Sequence, residues 1–196
     1  MIRLRVQKYW PVLVVALCLG SSFSMAATLP NGWLLAGSCP AEYEAGMDKK
    51  VTHSGSASGF LASKVSKASG FGTLMQEMKV GAYRGKRLRM TAYVKSENVQ
   101  DWAGLWMRVD GDGKVLEFDN MQKRPIKGTS DWKRFAVVLD VPDQATGVSF
   151  GILVAGLGRV WVDDFQFETV GKDVPTTGFP QETPETTIPE NLGFEE

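Results

Sequence analysis

The sequence predicts an all-β protein folded as an antiparallel β-sandwich or jelly roll. Apolar and polar residues alternate with a period of two along most of the chain, and turns containing Gly, Pro and Asp separate the alternating segments. After residue 27 no stretch keeps a helical period for three turns. Because 43% of the 196 residues are hydrophobic, the chain can bury the core of one domain of ordinary size.

Two segments show the strand alternation most clearly. In KRLRMTAYVKSE, residues 86–97, apolar side chains occupy even positions, whereas in GLWMRVDGDGK, residues 104–114, they occupy odd positions. The Asp-Gly-Asp-Gly sequence near the end of the second segment predicts a tight turn, rather than a calcium loop, and a hairpin that returns through residues 115–118. Three more strands are predicted at residues 132–142, 148–156 and 158–168.

The first 27 residues are typical of a secretory signal peptide. A positively charged start at residues 3–8 precedes an apolar stretch at residues 12–19, and small residues follow, so cleavage is expected near Ala26 or Ala27. The apolar stretch is shorter than the about 20 residues that span a bilayer. We therefore expect a secreted or periplasmic protein with no integral membrane association after cleavage; a retained N-terminal anchor is the alternative.

The composition divides the mature chain into three parts. Residues 28–170 carry the strand patterns and form the predicted binding domain, and residues 171–190 form a predicted linker rich in Pro and Thr. Residues 191–196, NLGFEE, again alternate as a short C-terminal strand. Three roles for that strand remain open: it completes the sandwich of its own chain, it enters a neighbouring molecule to make a strand-exchanged homodimer, or it belongs to a disordered tail.

Four segments of the chain resemble the galactose-binding-like, carbohydrate-binding-module type of jelly-roll domain. They are GWLLAGSCPAEYEAGMDKKVTHSGSASGFLAS, YRGKRLRMTAYVKSENVQDWAGLWMRVDG, FDNMQKRPIKGTSDWKRFAVVLDVP and VWVDDFQFE. The resemblance covers residues 32–168, and its most specific element is the last segment. Such domains occur in secreted bacterial proteins and as modules appended to peptidases and regulators. The resemblance therefore implies a jelly-roll fold, and it implies a function less strongly.

The resemblance also implies a structural calcium ion. Domains of this type often begin with a strand like NLGFE, whose glutamate and an aspartate of the closing strand hold the ion. In this chain the matching groups are Asp163 or Asp164 with Glu195, and Glu44 is a further candidate. Carboxylate and carbonyl oxygens are the ligands that calcium prefers.

An aromatic and cationic surface is the predicted ligand site. Arg89 and Tyr93 occupy positions that alternate with the apolar residues of the first strand segment. Trp106 and Arg108 occupy the corresponding positions of the second segment. If the two segments are neighbouring strands, these side chains share one face, where flat rings and planar hydrogen-bonding groups suit a sugar. The alternatives are a cation–π pair that covers an outer face, a buried tryptophan, or a register shifted by one residue.

Two amides and two further tryptophans extend this prediction. Asn120 and Gln122 lie just beyond the returning strand of the hairpin, where their side chains would add hydrogen-bond donors and acceptors to the site. Trp102 and Trp161 are the next aromatic candidates, and the remaining tryptophans are expected to pack in the core, at an edge or on a turn.

Charge and motifs argue against two classes of function. Lys plus Arg and Asp plus Glu each number 22, and without a basic run or a helix-turn-helix pattern we expect no nucleic-acid partner. The chain has one histidine, His53, and neither a GxSxG nor an HExxH motif, so we expect no enzyme. The sequence predicts a secreted, non-catalytic binding module for a carbohydrate or another small polar ligand. The alternative is a structural or protein-interaction domain that docks by its sandwich surface or its C-terminal strand.

Overall fold

The structure is a computed structural model, and it describes residues 28–178. Its regular elements are nine strands and two short 3₁₀ turns, Pro40–Glu42 and Gly81–Tyr83. The strands are β1 (Leu34–Gly37), β2 (Tyr43–Asp48), β3 (Ser58–Ser63), β4 (Phe71–Lys79), β5 (Lys86–Gly111), β6 (Lys114–Asp119), β7 (Ile126–Val141), β8 (Gly147–Ala155) and β9 (Arg159–Val170). The predicted signal peptide, residues 179–190 of the predicted linker and the predicted C-terminal strand lie outside the described residues. Within the described range, no helix has the length and apolar character needed to cross a membrane.

The strands form two antiparallel sheets that share β5. The first sheet has the order β1-β4-β8-β5-β6, and the second has the order β2-β3-β9-β5-β7. Residues 87–97 of β5 pair with both β7 and β9, whereas residues 102–111 pair with β8 and β6. The predicted all-β class and antiparallel sandwich are therefore confirmed.

A bulge near Asn98 carries β5 from one sheet into the other. Even positions of β5 face the core up to Ser96, and odd positions face it from Val99 onward. Asn98 adopts a left-handed φ of 52°, which asparagine tolerates better than most residues. The condition that residues 86–97 and 104–114 are two neighbouring strands is thus not met, because a bulge and not a turn changes the alternation within β5.

The predicted hairpin between β5 and β6 is confirmed. Asp112 and Gly113 link the paired residues Gly111 and Lys114, and their φ angles are 51° and 72°. Two consecutive positive φ values define the type I′ turn, whose twist matches that of the flanking strands. The Asp-Gly-Asp-Gly sequence thus forms the turn of this hairpin.

The core lies between the two sheets and is apolar. Met90, Leu105 and Ile152 are 0% exposed, and burying each such side chain stabilises the fold by about 1.5–3 kcal/mol. The other core residues with 0% exposure include Leu61, Leu88, Met107, Val137, Leu139 and Val160. Since both sheets turn their apolar faces to this core, their other faces lie on opposite sides of the protein.

Residues 49–57, which we call the strap, cover part of the outer face of the second sheet. Beneath the strap is a second apolar cluster of Phe60, Ala62 and Trp161, with Val51 and Trp132 packed against it. The Trp161 indole N–H donates to Asp48 at 2.9 Å, and the backbone N–H of His53 donates to Asp163 at 3.0 Å. The carboxylates of Asp48, just before the strap, and of Asp163, on β9, therefore fasten this region to the second sheet.

Residues 171–178, which we call the exit segment, run from β9 along the sandwich. The Arg87 guanidinium donates to the Lys172 carbonyl at 3.0 Å, and the Thr177 backbone N–H donates to the Val138 carbonyl at 2.8 Å. This part of the predicted linker is thus hydrogen-bonded to the domain.

Candidate functional site

The outer face of the first sheet holds a cleft of about 720 Å³. Its floor and walls come from β4, β8, β5 and β6, and β1 with residues 68–70 borders it. Apart from Asp101, the cleft side chains that strands carry are those that alternate with the core side chains along each strand. They include Ala36, Phe71, Thr73, Met75, Asp101, Trp102, Trp106, Arg108, Phe118, Asn120, Leu153 and Ala155. A cleft of this volume is in the usual range for a small-molecule site.

Trp106 forms the floor of the cleft. Its indole N–H donates to the Thr73 hydroxyl at 2.7 Å, and that hydroxyl donates to the Ile152 carbonyl at 2.9 Å. Gly151 lies between Trp106 and Met75 in the strand register, and the β4 backbone approaches it so closely that a Cβ atom there would collide with it. Trp106 is only 7% exposed, so it stands on the predicted face but is a fixed floor rather than an exposed platform.

Aromatic rings stand along the rim of the cleft. Trp102 and Phe71 lie on either side of Ala155 in the register, and Phe71 is 37% exposed. Phe118 stands on β6, paired with Arg108 of β5. Rings of this kind stack on the apolar C–H face of a sugar.

Three polar side chains are left with free hydrogen-bonding groups in the cleft. The Arg108 Nε lies 2.9 Å from the Asp110 carboxylate, and its two Nη groups have no protein partner within residues 28–178. Asn120 accepts the Gln122 backbone N–H through Oδ1 at 3.1 Å, which leaves its amide NH₂ available. The Asp101 carboxylate lies against Gly156 and has no hydrogen-bond donor within the same range.

The free polar groups are separated along β5. Asp101 and Arg108 are seven residues apart, or about 23 Å at about 3.3 Å per residue of strand. A ligand that lies along β5 thus meets an acceptor at one end, donors at the other and aromatic surface between them.

Tyr43 holds the end of the cleft that contains Asp101. Its hydroxyl lies 2.7 Å from the Gly70 carbonyl oxygen and 2.9 Å from the Gly156 carbonyl oxygen. The side chain is 1% exposed, and burial raises the pKa of Tyr43 to about 12. This buried hydroxyl joins the two loops that border the cleft.

Only half of the predicted ligand residues line this cleft. Trp106, Arg108 and Asn120 do so, whereas Gln122 lies in the exposed turn beyond it. Arg89 and Tyr93 belong to the part of β5 in the second sheet, so they lie on the opposite side of the sandwich. The prediction of one shared surface is wrong because the two parts of β5 present their outer faces in opposite directions.

Arg89 and Tyr93 also have partners of their own. The Arg89 Nε lies 2.8 Å from Glu168, and hydrogen bonding to that carboxylate raises the pKa of Arg89. The Tyr93 ring stacks on His53 of the strap with a centroid distance of 3.6 Å. We therefore assign both residues to the packing of the second sheet.

Sequence reasoning missed part of the cleft. Of the two further tryptophan candidates, Trp102 lines the cleft, whereas Trp161 lies beneath the strap. Phe71 and Thr73 were missed because β4 was not predicted, although FGTLM already alternates large and small residues. Asp101 lies next to a predicted strand, and the sequence alone carries no signal that its carboxylate is unpaired.

The two aspartates proposed as calcium ligands make hydrogen bonds to the strap. The Asp163 carboxylate accepts the backbone N–H groups of His53 and Ser54 at 3.0 and 3.1 Å. The Asp164 carboxylate accepts the Ser54 hydroxyl and lies 2.7 Å from His53 Nδ1. These hydrogen bonds, from Ser54 first and His53 second, lower the pKa of Asp164.

The other proposed calcium ligands do not join these aspartates in the described range. Glu44 lies 2.9 Å from the Arg159 guanidinium, and Glu195 lies outside the described residues. Between residues 28 and 178 no group of three or more His, Cys, Asp or Glu side chains is arranged to hold a metal. The calcium site stays a prediction.

A comparison with curated proteins finds a bacterial relative. No family model matches the chain. The chain is 46% identical over 168 residues to the uncharacterized HTH-type transcriptional regulator YbfP of Bacillus subtilis (strain 168). The match covers 85% of this chain and 57% of the regulator, so the chain spans little more than half of that protein.

Solved structures share the fold at low sequence identity. The enzymatically active domain of tailspike protein 4 from bacteriophage CBA120 matches with a TM-score of 0.57 at 13% identity, over 71% of this chain and 20% of that chain. The CBM22-1 xylan-binding domain of Xyn10C from Paenibacillus barcinonensis matches with a TM-score of 0.50 at 14% identity, over 74% of this chain and 90% of that chain. The CBM22-1-GH10 modules of Xyn10B from Clostridium thermocellum, solved with xylohexaose, match with a TM-score of 0.52 at 14% identity, over 71% of this chain and 26% of that chain. The chain has the galactose-binding-like jelly-roll fold of carbohydrate-binding modules, as predicted.

Proposed function

We propose that this domain binds a carbohydrate, or another small polar ligand, in the cleft of the first sheet. One observation carries the proposal: the cleft combines aromatic rings with hydrogen-bonding groups that have no partner among residues 28–178. A sugar ring stacks through its C–H face and bonds through its hydroxyls. Trp102 and Phe71 supply the rings, and Asp101, Arg108 and Asn120 supply the polar groups.

We propose further that the domain binds without catalysis. Asp101 is the single carboxylate among the described residues that line the cleft. Glycoside hydrolysis by the common mechanisms needs two carboxyl groups, separated by about 5–9.5 Å. The described lining residues therefore offer groups that can bind a sugar but no pair of carboxyl groups for hydrolysis.

A ligand-sensing role in a regulator is the second candidate function. It is favoured by the 46% identity to a protein named as a transcriptional regulator. The described residues 28–178 contain no α-helix, so a helix-turn-helix would have to lie outside these residues. Both candidates use the same cleft, and they differ in where the protein works.

Affinity electrophoresis tests the binding proposal. The mature domain is run through gels that contain a panel of soluble polysaccharides, xylan among them, beside Trp102→Ala and the control Trp132→Ala on the second sheet. We expect retardation that Trp102→Ala reduces and Trp132→Ala keeps, because losing one stacking ring weakens binding by about 1 kcal/mol, or about fivefold. Loss of retardation in Trp132→Ala alone would place the binding site on the outer face of the second sheet. Free migration of the wild-type domain through every gel would count against a polysaccharide ligand.

The cellular location separates the two candidates. We propose that residues 1–27 are removed during secretion, because their charge and apolar pattern are those of a signal peptide. Mass spectrometry of the protein recovered from periplasm or medium should show a new N-terminus after Ala26 or Ala27. Recovery of the intact N-terminus from the cell interior would favour the regulator.

A further inference from the structure

The exit segment closes a gap between the two sheets. The Thr177 backbone N–H donates to the Val138 carbonyl at 2.8 Å, and the Thr177 hydroxyl accepts the Val138 N–H at 2.9 Å. Val138 belongs to β7 of the second sheet. The same hydroxyl donates to Asp119 of β6 in the first sheet. One side chain thus joins the edges of both sheets.

Asp119 is the buried receiver of this contact. Its side chain is 0% exposed, and its carboxylate also accepts the Met121 backbone N–H at 2.8 Å and both Nη groups of Arg124. Met121 and Arg124 belong to the turn that follows β6. Among the described residues, Thr177 is the only donor to Asp119 from outside that turn.

The residues on either side of Asp119 line the cleft. Phe118 and Asn120 face the proposed ligand, and the Asn120 backbone carbonyl and Met121 pack against Gly104 of β5, where a Cβ atom would collide with them. The conformation that Asp119 imposes on residues 119–121 therefore decides where the Asn120 amide points.

We propose that Thr177 is a positioning residue of the cleft, through which the exit segment and the cleft are coupled. The hydroxyl of Thr177 fixes Asp119, Asp119 fixes the turn, and the turn places Asn120 in the wall of the cleft. Coupling of this kind is reciprocal. A ligand that holds Asn120 in place therefore stabilises the docked exit segment. Ligand binding in the cleft thereby affects the part of the chain that follows residue 178. The ligand part of this inference rests on the proposed function, whereas the link from Thr177 to the cleft wall does not.

Hydrogen exchange measured without ligand tests the link. Thr177→Val keeps the shape of the side chain and the backbone N–H but removes the hydroxyl. We expect amides in residues 118–121 to exchange about tenfold faster, as suits the loss of a hydrogen bond to a charged group. Thr177→Ser restores the hydroxyl and should restore slow exchange. Thr176→Val alters an exposed neighbour and should leave residues 118–121 unchanged, as should amides in β4 and β8 in all three variants.

The same variants with xylohexaose as the probe test the coupling. If the wild-type domain binds xylohexaose, the probe should slow exchange in residues 171–177, and Thr177→Val should bind it at least about fivefold more weakly, the lower end of typical coupling between sites. Unchanged exchange at residues 118–121 in Thr177→Val would overturn the inference whatever the ligand. Binding of the probe with unchanged exchange in residues 171–177 would overturn the coupling and leave the proposed function standing. Failure of the wild-type domain to bind the probe, with faster exchange in the variant, would count against xylohexaose as the ligand and support the positioning role of Thr177.

Discussion

Replacing Tyr43 by phenylalanine removes one hydroxyl oxygen from the end of the cleft that contains Asp101. The Gly70 carbonyl keeps a second partner, because it also accepts the Gly156 backbone N–H at 3.2 Å. The Gly156 carbonyl loses the Tyr43 hydroxyl, its single donor among the described residues. Leaving a buried carbonyl unpaired costs about 1–3 kcal/mol. For a domain of this size the melting temperature should fall by about 2–12 °C.

The pH dependence of this variant supplies a second readout. Burial raises the pKa of Tyr43 from 10.0 to about 12, so the folded state holds the phenolic proton more tightly than the unfolded state. The stability that this difference contributes is fully present below pH 10 and is lost as the pH rises toward 12. Wild-type stability should therefore fall relative to that of Tyr43→Phe above pH 10.

Thermal unfolding followed by circular dichroism from pH 7 to pH 11 measures both effects. Tyr83→Phe is the matched control, because the Tyr83 hydroxyl has no hydrogen-bond partner within residues 28–178. Equal melting temperatures for wild type and Tyr43→Phe at pH 7, together with parallel curves above pH 10, would refute the argument that this hydroxyl holds the two loops.

Two further predictions concern the floor of the cleft and the strap. Gly151→Ala should destabilise the domain by about 1–3 kcal/mol, because its Cβ would collide with the β4 backbone; Gly147→Ala, which meets no atom closer than 3.8 Å, should be close to neutral in the same urea titration. The lowered pKa of Asp164 means that its contribution to stability is present above the ordinary pKa of 3.8 and is lost as the pH falls below it. Acid titration of tryptophan fluorescence should then show a transition that Asp164→Asn lacks, and identical acid curves would contradict this role of the strap.

Period-two alternation was enough to predict the fold class. The strands that were predicted, such as β8 and β9, are long and alternate clearly or are continuously apolar. The short strands β1 to β3 were not predicted, since Gly and Ser interrupt their patterns and their pairing depends on distant strands. Local composition carries little information about such contacts.

The candidate site was predicted in part for a related reason. Alternation placed Trp106 and Arg108 on the outer side of β5, and the structure agrees. It did not show that Asn98 would turn β5 from one sheet into the other, because a single asparagine in SENVQD is common in turns, bulges and regular strands alike. Without that bulge, Arg89 and Tyr93 are expected on the same surface as Trp106.

The sharing of β5 between the two sheets has a consequence for folding cooperativity. The single strand β5 supplies backbone hydrogen bonds to β6, β7, β8 and β9. Because both sheets depend on β5, one sheet cannot unfold while the other stays intact. A circular permutant with new ends at Asn98 would divide that strand and weaken both sheets, whereas new ends at the Asp112-Gly113 turn would spare it. The domain should therefore unfold in a single transition, and it should tolerate new termini at its hairpin tip far better than in the middle of its longest strand.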